Sequence, residues 1–177
     1  MKTISLKFVD LMVGIVLGAG FLWVTNFHQP WQYLAFLFVY LDILDYWLDH
    51  SSAQAKFPSK RIFDLVLTIL TVLAIFSYTF TIQFGLWPLL LAFGLFKFFD
   101  FIWLIRVEKQ HRPHGEEKMF VNSWIICDIL EVGFALAMII LLLQISIQPM
   151  TLLIIFIIFR VLVWLLATQS HKKLFLN

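Results

Sequence analysis

The chain has 177 residues, 62% of them hydrophobic and only 14% charged, with a mean hydropathy of +0.92 and a formal net charge of +2. A soluble domain is about 45–50% apolar and about 25% charged, so a core bathed in water is excluded and a lipid bilayer is the expected solvent. The basic residues are scattered over short connections, which speaks against a nucleic-acid partner, and the single Cys127 excludes an intrachain disulfide.

A helix needs about 20 mostly apolar residues to cross a membrane. In chain order, the first such run covers 5–25. No small-residue cleavage site follows it, so it is expected to be a retained helix rather than a signal peptide. The second covers 31–49 and closes on LDILDYWLDH. Its Asp42, Asp45 and Asp49 sit at i, i+3 and i+7, on one helix face. Four more runs cover 62–81, 87–106, 121–143 and 150–169. Turn chemistry separates them: Asn26 to Pro30, Pro58, Gly85 to Pro88, Pro113 to Gly115, and Gln148 with Pro149. The expected fold is an all-α integral membrane protein. It has one transmembrane domain over 1–177, with six spans paired as three helical hairpins.

Basic residues predict the orientation. Lys2 and Lys7 precede the first span. Lys56, Lys60 and Arg61 separate the second from the third, and Arg106, Lys109, Arg112 and Lys118 separate the fourth from the fifth. Lys172 and Lys173 follow the sixth. The other connections carry none. By the positive-inside rule both termini are cytoplasmic, in a multi-pass protein of the cell membrane. The two exceptions, Lys97 and Arg160, lie within the fourth and sixth spans.

The odd spans open alike, with Asp10, Asp64 and Asp128 in the same place, and the even spans close alike on Trp47, Trp103 and Trp164. The Asp-to-Trp intervals are 37, 39 and 36 residues, counted along the chain. Convergence suffices as an explanation, because Asp suits a helix N-terminus and Trp suits the membrane interface. A triplicated hairpin gives the same pattern.

Depth predicts a site. Asp10, Asp42, Asp45, Asp100 and Asp128 lie roughly 6–11 Å inside the cytoplasmic ends, and Lys97, Glu131 and Arg160 about 14–15 Å in, near the midplane of a ~30 Å core. An unpaired charge at that depth costs at least about 2.5–3.5 kcal/mol. The economical arrangement turns these side chains inward. Lys97 and Asp100, at i and i+3, are one expected pair. Arg160 and Glu131, at matching depth, are another. Asp42 and Asp45 are expected to face Lys97, Arg160 or water. With Asp64 included, acids outnumber bases. The layer reads as a salt-bridge network or as a hydrated vestibule for cations or protons.

The first span contains Gly14 and Gly18 in a GxxxG, which suits close packing within the chain or a helix lining an axis between protomers. The pair KFVDLMVGIVLGAGFLWV and YLAFLFVYLDILDYWLDHSSAQ resembles the opening of the endolysosomal and bacterial six-helix potassium channels. That family has an Arg-x-x-x-Phe-Ser-Asp motif on its first helix and a Trp and His closing its second. Phe8 and Asp10 match the first motif; Trp47 and His50 match the second. Val9 stands where the family has Ser, and Ile4 where it has Arg. The resemblance implies one repeat of a tetrameric channel, with Leu11, Val13 or Leu17 lining the pore.

No catalytic signature, cofactor motif or rigid metal-ligand set is evident. The HRPH of the loop, with His111 and His114, reads as solvated, and His50 and His171 as interfacial. The leading expectation is a non-enzymatic, channel-like or ion-coupled bundle favouring cations and forming a homo-oligomer. The alternative is a membrane scaffold or sensor, for instance in a stress or antiviral defence assembly, that offers Lys109 and Arg112 to a cytoplasmic protein partner. The orientation makes a direct prediction. In a Cys127-free background, cysteines near Gln29, Gly85 and Gln148 should react with an impermeant thiol reagent from outside, and cysteines near Gln54 and His114 should not. Reversed labelling would overturn it.

Overall fold

The computed structural model describes residues 2–145 and 147–175, with side chains from 7 to 168 apart from 146. Six helices account for nearly all of it: α1 Lys2–Trp23, α2 Pro30–Lys56, α3 Ile62–Phe80, α4 Leu86–His111, α5 Glu116–Gln144 and α6 Pro149–Phe175. Single 3-10 turns, Val24–Asn26 and Thr81–Gln83, extend α1 and α3. No strand occurs among the described residues.

The helix starts follow local chemistry. Pro30 opens α2, and the Gln32 side chain accepts the backbone N–H groups of His28 and Gln29 at 2.8 and 2.9 Å. Asp64 does the same for Lys60 and Arg61 at the start of α3. Gly85, at φ 146°, admits the turn into α4, which an L side chain would strain.

Five stretches are long and apolar enough to cross a membrane: Lys7–Asn26, Ile62–Gln83, Leu86–His111, Glu116–Gln144 and Pro149–Thr168. The expected sixth span, 31–49, is helical but not among them. It lies in α2, whose carboxylates lower its hydropathy and which runs on to Lys56. Its polarity is one-sided. Tyr33, Leu37, Leu41, Leu44 and Leu48 are exposed on the bundle surface, whereas Asp42, Tyr46 and His50 are buried. α2 is thus inverted relative to a soluble amphipathic helix.

Helices α2, α3, α4, α5 and α6 form a closed ring in which each touches the next and α6 returns to α2. α1 lies outside, against α2 and α3. The most extensive interface joins α4 to α5, which the hairpin reading assigned to different hairpins.

The interior is zoned. One apolar cluster joins α1 residues Val9 to Val16 with Ala35, Tyr78, Phe93, Ala135 and Phe156. A second gathers Phe57, Trp103, Phe120, Trp124 and Val163. On α4, α5 and α6 alike, the buried charged residues fall between the stretches that build these two clusters, while Asp42 on α2 lies among residues of the first.

α1 presents its glycines to different surroundings. A Cβ on Gly20 would lie 2.8 Å from Thr79 Cγ2 and closer still to the Tyr40 hydroxyl, whereas Gly14 and Gly18 meet nothing within 4 Å. The GxxxG therefore does not pack within the protomer. Gly20→Ala should lower the melting temperature in detergent, by about 1–3 kcal/mol of overpacking. Gly14→Ala and Gly18→Ala should leave protomer stability within about 0.5 kcal/mol of wild type, as for surface changes. Equal losses at all three positions would contradict this placement of α1.

Candidate functional site: a buried charge network

Two buried cations organise the polar layer. Arg160 on α6 reaches Asp42 of α2 at 2.8 Å, Glu131 of α5 at 3.0 Å and Asp45 of α2 at 4.0 Å. Lys97 on α4 meets the other oxygen of Glu131 at 3.0 Å and Asp128 at 3.9 Å. Glu131 therefore bridges the two cations. Four helices, α2, α4, α5 and α6, are thus tied together at one level. The Lys97 ammonium also lies 5.0 Å from the centre of the Phe96 ring, a favourable placement for a desolvated cation.

Beside this chain of ion pairs, the Tyr46 hydroxyl approaches Asp100 at 3.3 Å and His50 Nδ1 at 3.0 Å, and His50 lies 3.7 Å from Asp100. Tyr46, His50 and Asp100 are all buried. The His50 ring leans on Trp103, with centroids 4.7 Å apart. The expected pairing of Lys97 with Asp100 does not form: one turn of α4 points Lys97 at α5 and Asp100 at α2. His50 was expected at the membrane interface. It is internal because α2 continues to Lys56 and turns that face inward.

Other expected members lie outside the network. Asp10 is exposed and accepts the Trp47 indole N–H at 2.8 Å. Asp64 is buried near the start of α3, held by Arg106 Nε at 2.6 Å, Gln110, and the backbone N–H groups it caps. Asp45 is at the margin: its side chain is 32% exposed and accepts the Trp164 indole N–H at 2.9 Å. The aligned tryptophans thus make three different contacts, and the Asp–Trp repeat in sequence is not repeated in space.

Of the candidate pore residues, Val13 is packed in the core, Leu17 is partly buried, and Leu11, Gly14 and Gly18 face outward. Among the loop residues proposed to meet a partner, Lys109 and Arg112 are exposed, and Arg112 ends α4 in a left-handed conformation at φ 48°.

Charge does not balance inside. Asp42, Asp100, Asp128 and Glu131 are buried against Lys97 and Arg160. Four buried carboxylates thus face two Lys and Arg cations, and His50 beside Asp100 is the one further basic side chain of the network. Asp128 is the least satisfied: its exposure is 0%, and neither carboxyl oxygen has a hydrogen-bond partner among the described residues. Burying an uncompensated carboxylate is costly enough that a positive charge or a proton is drawn in. Among the described residues no three His, Cys, Asp or Glu side chains converge as a metal ion would require.

The second apolar cluster, with Trp103, Phe120 and Trp124, packs on one side of the network. A cleft of about 350 Å³ between α2 and α6 is lined by Phe38, Leu41, Asp42, Asp45, Arg160 and Trp164.

No family model, curated protein or solved structure matches this chain. The reading of the site rests on its own geometry.

Arg160→Ala should destabilise the bundle by about 3–5 kcal/mol, because it strands buried carboxylates. Adding Glu131→Gln should recover part of the loss, and Asp42→Asn more. Asp45→Asn alone should cost at most about 1 kcal/mol, since the pair is half open. Denaturant melts of the purified variants measure this, and strictly additive losses would mean that the groups do not interact.

Proposed function

We propose that this chain is a non-enzymatic multi-pass membrane protein whose centre takes up and releases protons: an ion-coupled bundle whose cation is H⁺. One observation carries the reading, the buried excess of carboxylate around Asp128. A proton neutralises a single carboxylate without the converging ligands that a metal ion needs. The lateral cleft supplies a path, because Asp45 reaches its surface and Asp42 lies behind it against Arg160. Arg160 joins α6 to Asp42 of α2 across that cleft, so the ring contact of α2 with α6 is the element that a change of charge in the network would loosen. Both termini face the cytoplasm in this reading, following the distribution of Lys and Arg.

A channel reading has one observation of its own. The Leu11, Gly14 and Gly18 face of α1 is bare in the protomer. A homo-oligomer could place that face on its axis, as the resemblance to the six-helix potassium channels implies. Val13 belongs to the protomer core, so an apolar gate would be made by Leu11.

Liposomes containing the purified protein and a pH-sensitive dye separate the readings. A pH gradient should dissipate faster than in empty liposomes. Asp128→Asn should remove the excess rate, whereas Glu116→Gln, at an exposed position, should keep it. Leu11→Asn raising a potassium leak instead would favour the axial channel, by wetting an apolar constriction. A well-folded Asp128→Asn protein with undiminished proton flux would overturn the proton reading.

A further inference from the structure

Away from the charge network, the start of α3 and the end of α4 enclose a second polar feature. A concavity of about 460 Å³ is lined by Lys60, Arg61, Arg106, Lys109, Gln110 and Arg112. Five of these six residues are cationic. Asp64, the acid at its edge, is already engaged by Arg106, Gln110 and two backbone N–H groups. Among the described residues no carboxylate lies within ion-pair distance of Lys60, Arg61, Lys109 or Arg112, although Lys56 nearby pairs with Glu117 at 3.3 Å. Arg106 is held in place by Asp64 and by the Phe63 ring, 4.5 Å from its guanidinium carbon, and its buried Nη2 has no hydrogen-bond partner. The cationic wall is therefore built rather than incidental, and its charge is unanswered.

The surroundings say which anion. Ile62, Phe63 and Val66, at the start of the apolar α3 stretch, are exposed directly beside Arg61. Cations at the mouth of a concavity and bare apolar side chains next to it match an amphiphile: a phosphate on the guanidinium and ammonium groups, and an acyl chain along α3. A free phosphate would leave the apolar rim without a role.

We propose that this concavity binds the headgroup of an anionic glycerophospholipid, with Arg61, Lys109 and Arg112 contacting the phosphate and Ile62 and Phe63 the acyl chain. Bound lipid would tie the two membrane-end segments Pro58–Arg61 and Lys109–Arg112 together, where Lys60 already donates to the Gln110 carbonyl at 3.2 Å.

The test is native mass spectrometry of the detergent-solubilised full chain titrated with phosphatidylglycerol or phosphatidylcholine. Wild type should bind phosphatidylglycerol at least about tenfold more tightly than phosphatidylcholine, on the scale expected for several basic contacts. Arg61→Gln/Lys109→Gln, both exposed and outside the helix packing, should lose roughly twentyfold of that affinity. Lys7→Gln/Lys118→Gln, which removes the same charge from exposed positions elsewhere, should stay within about twofold of wild type, as expected of charges that make no lipid contact. Equal loss in both double variants would reduce the effect to overall charge and overturn the site. Competition by soluble glycerophosphoglycerol as strong as by the lipid would overturn the lipid as the ligand, as would absence of a preference for phosphatidylglycerol.

Discussion

The bundle turns on Glu131. Each of its two oxygens on α5 holds one buried cation, Arg160 of α6 and Lys97 of α4, and Arg160 reaches on to Asp42 of α2. Neither Lys97 nor Arg160 is tolerable buried without a partner, and neither is Asp42 or Asp128. The helices are obliged to meet where the charges do. Apolar packing alone could not impose this level, since lipid is as apolar as the helix faces. The ion pairs therefore define register, and the apolar clusters on either side supply contact area.

α2 shows the consequence. By composition it is the least fit of the six helices for a membrane, yet its polar face is put to use. Asp42 engages Arg160, Asp45 engages Trp164, and Tyr46 and His50 close on Asp100 of α4. Its leucines cover the outside. Its buried polar face therefore depends on α4 and α6 for its partners. The same dependence makes the α2–α6 seam, where the lateral cleft lies, the natural place for the bundle to respond to a change of charge.

Much of this was legible in the sequence, and the remainder fails for definable reasons. Run length and turn residues placed all six helices, because both are local properties. Depth matched Arg160 to Glu131, because rise per residue converts position into level. Azimuth was not legible. Lys97 and Asp100 share a helix face by spacing, but long and short side chains leave that face in different directions, and each found a partner on another helix. Asp10 and Asp64 looked like members of the layer because they are near it in depth. The Trp47 indole satisfies Asp10, and Arg106 with the backbone N–H groups that Asp64 caps satisfies Asp64. The bare GxxxG face was readable as a motif, but whether it packed inside the chain depended on where the ring closed, which no local pattern carries. His50 was placed at the surface because α2 was ended seven residues early.

The central claim is that the core holds more buried carboxylate than cation and that a proton makes up the difference. Infrared spectroscopy in D₂O reads it directly, on purified protein at neutral pH in a buffer whose only cation is too bulky to enter. The account predicts the carbonyl stretch of an un-ionised carboxylic acid, removed by Asp128→Asn and unaffected by Glu116→Gln. A spectrum in which every carboxyl group is ionised, from a folded protein in that buffer, would contradict it.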